Sequence, residues 1–221
     1  LFWVDDSGKE LKFDFNESNL LSAANFFNFD GDGDDIIYGL DVNQNLKRLY
    51  ISTQDNSSGK SYIHIYDLAP LGTNTDESGP AIPNLIGSVA ISLPAPYTGL
   101  EPGITEVLVD ELTNKVYAFL SGVGGVLHFT DSSFGLPSLD ASNYLGLDDI
   151  SASPTDLPSS GRKLIYDAAS GLVMGVSREG NQIFTVNTED SNKVSVHSYP
   201  QSFDALMTFV KTGLSLVMSR E

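Results

Sequence analysis

One stretch constrains this chain more than any other: Gly103 to Ser133, GITEVLVDELTNKVYAFLSGVGGVLHFTDSS. Glu106 to Asp110 is a short apolar run of the kind found in a strand buried on both faces. The Glu-Leu-Thr-Asn that follows is turn chemistry, because Thr and Asn side chains bond the local backbone. Lys115 to Leu120 is rich in residues that suit a pleated surface. Ser121 to Gly125 reverses the chain again, and Val126 to Thr130 makes a third strand. Antiparallel strands joined by such short loops form a meander.

The rest of the chain repeats the unit. Ile36–Asp41, Leu46–Ser52 and Ser61–Asp67 give strand, turn, strand, polar loop, strand, with Gly87–Leu93 as an outer fourth strand. Leu164–Asp167, Gly171–Ser177 and Gln182–Asn187 do so again, followed by KVSVH near Tyr199. A further start is Ala205–Lys211 and Gly213–Ser219. Asp41, Asp110 and Asp167 close the first strands, and Ser52, Ser121, Ser177 and Ser219 close the second.

VLVDELTNKVYAFLSG resembles a blade of the YVTN, lactonase-like or NHL-like β-propellers, which share a strand-Asp-turn-Asn-strand pattern. Spacings of roughly 45 to 70 residues suit blades with insertions better than a solenoid; a β-sandwich of unrelated meanders is the other architecture compatible with the pattern. The resemblance implies an all-β fold of four-stranded antiparallel blades, read as one domain over residues 1–221. Leu1 to Phe15 reads as a hairpin turning at Asp6-Ser7-Gly8-Lys9. It would supply the outer strands that the unit ending at Ser219 lacks, pairing edges that otherwise template aggregation. The expectation is four blades if the chain is complete, or part of a larger propeller.

Composition limits the function classes. At 221 residues the chain can bury a substantial core. A net charge of −17 argues against nucleic acid and anionic lipid as partners. No apolar run reaches membrane-spanning length, and the absence of Cys removes disulfides and thiolate metal sites. Acidity with few Lys and Arg suits the cell surface or the extracellular space, with the periplasm as a further possibility, and the lack of Cys does not exclude export. The sequons at Asn16 and Asn56 are compatible with such an address.

The sharpest local motif is Asn28-Phe29-Asp30-Gly31-Asp32-Gly33-Asp34-Asp35. Oxygen ligands at alternate positions, with glycines permitting a tight loop, are what Ca²⁺ requires. Asn28, Asp30 and Asp32 match the first three ligand positions of such a loop; Asp34 offers a carbonyl and Asp35 a closing carboxylate. The stretch resembles the calcium loop of FG-GAP or VCBS propeller repeats, and more distantly one nonapeptide of an RTX β-roll. It departs from the first pattern in carrying Asn28 at the first ligand position and in closing one residue early, at Asp35. A solvated acidic turn is the plain alternative.

Other candidates are weaker. His64 and His128 fall at similar points of third strands and His197 in an outer strand, which suits packing or surface positions better than a shared metal. In lactonase-like propellers the resemblance implies a divalent metal at one mouth of the channel, and Asp41, Asp110 and Asp167 would be its candidates here. Capping of the turns by these side chains is the competing reading. Trp3 and the aromatics that read as exposed, Tyr97, Phe134 and Tyr144, could stack on a sugar or anchor a partner, with packing as the commoner fate of such residues. Neither a P-loop, a G-x-S-x-G elbow nor an H-E-x-x-H helix is present. The reading is therefore a non-catalytic, calcium-stabilised surface module presenting loops to a protein or glycan. A metal-dependent lactonase-like hydrolase is the alternative.

Overall fold

The structure, a computed structural model, describes residues 2–4, 11–13, 35–68, 83–132, 135–145, 161–167, 170–177, 182–187, 194–198, 203–209 and 214–219. Its strands are β1 (Phe2–Val4), β2 (Leu11–Phe13), β3 (Asp35–Asn43), β4 (Arg48–Asp55), β5 (Ser61–Asp67) and β6 (Asn84–Ala90). Next come β7 (Gly103–Asp110), β8 (Lys115–Ser121), β9 (Gly125–Thr130) and β10 (Tyr144–Leu145). The last six are β11 (Gly161–Asp167), β12 (Leu172–Ser177), β13 (Gln182–Asn187), β14 (Val194–Ser198), β15 (Phe203–Phe209) and β16 (Leu214–Ser219).

β3–β6, β7–β10 and β11–β14 form three four-stranded antiparallel meanders, each in sequence order. β15 and β16 form a two-stranded sheet, and β1 and β2 a hairpin in which Phe2 stands opposite Phe13. β3 lies against β7, β7 against β11, and β11 against β15, so the first strand of each unit neighbours the first strand of the next. That is the inner ring of a radial assembly.

The apolar residues sit between sheets. Tyr50, Ile63, Ile65 and Val89 of the first sheet meet Val116, Ala118, Leu120, Leu127 and Phe129 of the second. Tyr117, Phe119, Val126 and Leu145, from the other side of the second sheet, meet Leu164, Val173, Phe184 and Val186 of the third. Middle strands are thus buried on both faces, which is why β8 reads as an apolar run rather than as alternation and why consecutive residues of β4, Arg48 to Thr53, are all buried. Each such side chain contributes about 1.5–3 kcal/mol when fully buried.

The register corrects how the repeats align. Every first strand carries an irregularity near its start, between Ile37 and Gly39, Ile104 and Glu106, Gly161 and Lys163, and Phe203 and Ala205. These bulges superpose the units. The residues that close the first strands, opposite Arg48, Lys115 and Leu172, are then Asn43, Asp110 and Asp167. Asp41 stands two positions earlier, opposite Tyr50. Of the serines, Ser121, Ser177 and Ser219 end β8, β12 and β16, whereas β4 runs past Ser52 to Asp55; by register Thr53, opposite Ile37, is the counterpart of Ser177 and Ser219. His64 pairs with Ile51 and His128 with Tyr117, one register apart, so they face opposite sides of their sheets.

Two other expectations shift. The fourth strand of the first unit runs Asn84–Ala90 rather than Gly87–Leu93, because an irregularity beside Ile65 and Tyr66 lets it follow β5 to Asp67. Tyr144 is buried, not exposed, and donates its hydroxyl to the Ser92 carbonyl at 2.6 Å. The helical turn expected near residues 16–27 lies outside the described residues, as do the side chains of Trp3 and Phe134.

Candidate functional site

The first-to-second-strand turns share one construction. Asn43 Oδ1 accepts from the Leu46 amide at 2.9 Å, and Asp110 Oδ1 from the Leu112 amide at 3.1 Å. Asp110 also accepts from the Thr113 hydroxyl, as Asp167 does from the Ser170 hydroxyl at 2.7 Å. The residue before each second strand takes a left-handed conformation: Lys47 (φ 53°), Asn114 (φ 55°) and Gly171 (φ 66°). Asn and Gly suit that conformation, which Lys adopts less readily. Asp110 and Asp167 are therefore turn caps.

Asp41 does something else. Its Oδ2 accepts from the Val109 amide at 2.7 Å, across to the next unit, and its Oδ1 from the Val42 amide at 2.9 Å. Glu106 repeats the device one unit on, with Oε2 accepting from the Leu164 amide at 2.5 Å. A first strand has a sheet neighbour on one side only, so amides on its inner edge need other partners. Carboxylates of the preceding unit supply them. Asp41, Asp110 and Asp167 are thus each engaged by neighbouring backbone or hydroxyl groups. Among the described residues no group of three or more His, Asp or Glu is placed to hold a metal.

A denser polar cluster lies between the first two units, and sequence reading did not find it. Arg48 pairs through Nη1 with Asp131, and the same nitrogen donates to the Ser132 carbonyl at 3.0 Å. Tyr50 donates to Asp131 Oδ2 at 2.5 Å. The Arg48 side chain is 9% exposed and that of Asp131 0%, so the pair is effectively sealed. Burial, reinforced by the Asp131 carboxylate, drives the Tyr50 hydroxyl far above its ordinary pKa. Beside it, Asn43 Nδ2 donates to Asn114 Oδ1 at 2.9 Å and the Gln44 amide to Glu111 Oε1 at 2.8 Å. The TDSS that ends β9 was the available signal, but an Asp after a strand reads equally as a surface cap.

The histidines stay apart. His64 lies between Thr53 Oγ1, 2.8 Å from Nε2, and Ser88 Oγ, 2.7 Å from Nδ1. Thr53 is wholly buried, and its hydroxyl is bonded to Nε2. Both hydroxyls can donate or accept, so the ring tautomer sets the direction of the two bonds. Burial pushes the His64 pKa down to about 4. His128 donates from Nε2 to the Ser142 carbonyl at 3.0 Å; burial and then Lys115 lower its pKa, opposed by that hydrogen bond. His197 sits on β14, paired with Ile183.

Of the calcium-type motif, Asn28, Asp30, Asp32 and Asp34 lie outside the described residues, and Asp35 opens β3 opposite Asp55. Asp55 is itself engaged: Ser57 and Ser58 donate to it through hydroxyls and amides, which holds its carboxyl well below the usual range. Asn56 of the second sequon is exposed in that same turn.

Meandering four-stranded sheets packed face to face around an inner ring of first strands define a β-propeller. Comparison with solved structures agrees. Over 96% of its length the chain is similar to a chain of the nidogen/laminin complex, with a TM-score of 0.55 and 13% identity. Over 97% it is similar to a Bacteroides uniformis protein assigned as a 6-phosphogluconolactonase, with a TM-score of 0.54 and 15% identity. Over 84% it is similar to the Pseudomonas aeruginosa periplasmic gluconolactonase, with a TM-score of 0.54 and 11% identity. The chain spans 67%, 68% and 50% of these neighbours' respective lengths. No family model and no curated protein sequence matches it. These likenesses establish the fold, which hosts binding modules and lactonases alike.

Proposed function

We propose that the chain is a non-catalytic propeller module of the cell surface, extracellular space or periplasm, stabilised by Ca²⁺ and presenting its loops to a protein or glycan. The observation that carries this reading is the use made of the inner carboxylates. Asp41, Glu106, Asp110 and Asp167 cap turns or join neighbouring first strands. A lactonase-like hydrolase would need several such residues turned together on one ion, and among the described residues no group of three or more His, Asp or Glu is so placed. One further point supports a binding role: one structural neighbour comes from a protein–protein complex.

Calcium enters through Asn28, Asp30, Asp32, Asp34 and Asp35, whose alternating oxygens suit a hard cation. The reading also takes residues 1–221 as one domain whose last blade is completed by the 1–15 hairpin.

A thermal melt with excess EDTA and with millimolar Ca²⁺, repeated on Asp30→Ala/Asp32→Ala, tests it. A ligand bound selectively to the folded state adds about 2.7 kcal/mol at a hundredfold excess over Kd. Calcium is expected to raise the melting temperature of the wild type and leave the double variant unmoved. A shift that survives in the variant places the ion elsewhere and turns attention to hydrolysis. No shift in the wild type removes calcium from the account.

A further inference from the structure

The turn between β4 and β5 carries a motif with no part in the binding reading. Residues 55–60 are Asp-Asn-Ser-Ser-Gly-Lys, and Asn56-Ser57-Ser58 is an N-x-S triplet whose middle residue is not proline. In an exported chain the Asn of such a triplet can accept an oligosaccharide, and the product is bulky and hydrated. The fold must then hold that Asn at the surface, keep its side chain out of the bonds that build the turn and leave space beside it. The β4–β5 turn meets all three requirements.

Asn56, Ser57 and Ser58 are all exposed. Asp55 builds the turn beneath them. Its Oδ1 accepts from the Ser57 amide at 2.8 Å and the Ser57 hydroxyl at 2.6 Å, and its Oδ2 from the Ser58 hydroxyl. The Gly59 amide donates to the Asp55 carbonyl at 2.7 Å, and the Asp55 amide to the Lys60 carbonyl at 2.8 Å. These bonds hold the tip without the Asn56 side chain, whose amide is left unbonded among the described residues. A Cβ added at Gly59 would meet nothing within 4 Å, so the space beside the tip is open. The hairpin below is fully paired, with Gln54 opposite Ser61 and Thr53 opposite Tyr62. Asn56 thus stands on an outward projection of a well-anchored hairpin.

We infer that Asn56 is an N-glycosylation site, modified by an oligosaccharide carried on a lipid diphosphate. In the transfer, Asn56 Nδ2 bonds to the anomeric carbon of the first sugar. The bond from that carbon to the diphosphate oxygen breaks, the lipid diphosphate leaves, and the amide proton passes to a base of the transferase. No oxidation or reduction is involved. The third residue of the triplet must offer a hydroxyl, and here it is Ser58, which donates to Asp55 once the turn has formed. Transfer therefore belongs to the chain before the β4–β5 hairpin closes, and the folded turn then carries the product away from the sheet. Asn16-Glu17-Ser18, the other triplet, lies outside the described residues, and the assignment is to Asn56 alone. The inference rests on the reading of the chain as a surface, extracellular or periplasmic module, because N-glycans mark exported chains.

The test is peptide mass spectrometry on the protein isolated from its own cells, with exported and cytosolic fractions kept apart. Trypsin cuts after Arg48 and Lys60, so the peptide Leu49 to Lys60 carries Asn56 as its single asparagine. An amidase that releases N-glycans leaves an aspartate at the attachment point, and in heavy-oxygen water it labels that position; a sample without amidase accounts for spontaneous deamidation. In the exported protein the peptide is expected at its bare mass only after release, with the label at position 56. Asn56→Gln and Ser58→Ala, both in an exposed turn, should lose the glycan, whereas Ser58→Thr should keep it. An exported protein whose peptide is bare before release overturns the inference and leaves the surface reading standing. A glycan that persists at Asn56 in Ser58→Ala overturns it too, because the triplet would not be what is read. A bare peptide in a protein confined to the cytosol overturns both the inference and the surface reading.

Discussion

Asp131→Ala is the most informative single change to the fold. It leaves the Arg48 guanidinium 9% exposed with the Ser132 carbonyl as its remaining partner in the cluster, and the Tyr50 hydroxyl buried without an acceptor there. Stranding one member of a buried ion pair costs about 3–5 kcal/mol. In a chain of this length each kcal/mol lowers the melting temperature by about 2–4 °C, so a fall of roughly 10 °C is expected. Tyr50→Phe removes one charge-assisted hydrogen bond, worth about 1.5–3 kcal/mol. Because both changes act on one carboxylate, the double variant should lose less than the sum. Arg48→Met/Asp131→Leu is the decisive partner experiment. Replacing a buried pair with apolar groups is often neutral, so this variant should be far more stable than Asp131→Ala. Urea denaturation followed by tryptophan fluorescence and circular dichroism measures all four. A cost for Asp131→Ala below about 1 kcal/mol, or a double replacement as damaging as the single one, would refute the reasoning, because it would mean water reaches the cluster.

Three further outcomes follow from the same structure. His64 has a folded pKa of about 4 against 6.5 unfolded, so its contribution is fully present above pH 6.5 and is lost as pH falls toward 4. Wild-type stability should drop by up to about 3 kcal/mol over that window, and His64→Gln should flatten the melting-temperature profile there. Gly39→Ala should cost about 1–3 kcal/mol in urea, since the added Cβ would meet the Glu106 Cα at 2.9 Å and the Val107 nitrogen at 3.0 Å, backbone atoms that cannot swing away. Asp110→Ala should cost about 1 kcal/mol in the same assay, whereas Asp110→Asn should be nearly neutral, because Asn43 already fills that role in the first unit.

The strands were legible because their chemistry is local. EVLVD, KVYAFL and VLHFT carry apolar and β-favouring residues between turn formers, and β7, β8 and β9 fall on them within a few residues. The turn signal was equally local: an Asp or Asn side chain bonds amides two or three residues on, whatever surrounds it. Asp140 to Asn143 was the local signal passed over. It forms a capped 3-10 turn that delivers Tyr144 and Leu145 to the edge of β9.

Register was decided only by packing. Counted from the bulges that open at Ile37, Ile104 and Gly161, the equivalent closing residues are Asn43, Asp110 and Asp167, a correspondence that leaves no mark in the string. A shift of one position turns a side chain to the other face, which separates His64 from His128. The partner of a buried charge is likewise a tertiary fact. Arg48 and Asp131 are 83 residues apart, and nothing near either predicts the other. Short-range chemistry thus specifies strands, turns and the meander, because those interactions close within a few residues. Whether a carboxylate caps a turn, joins two blades or buries an arginine depends on which sheets face each other, and that is settled only when the ring of strands is packed.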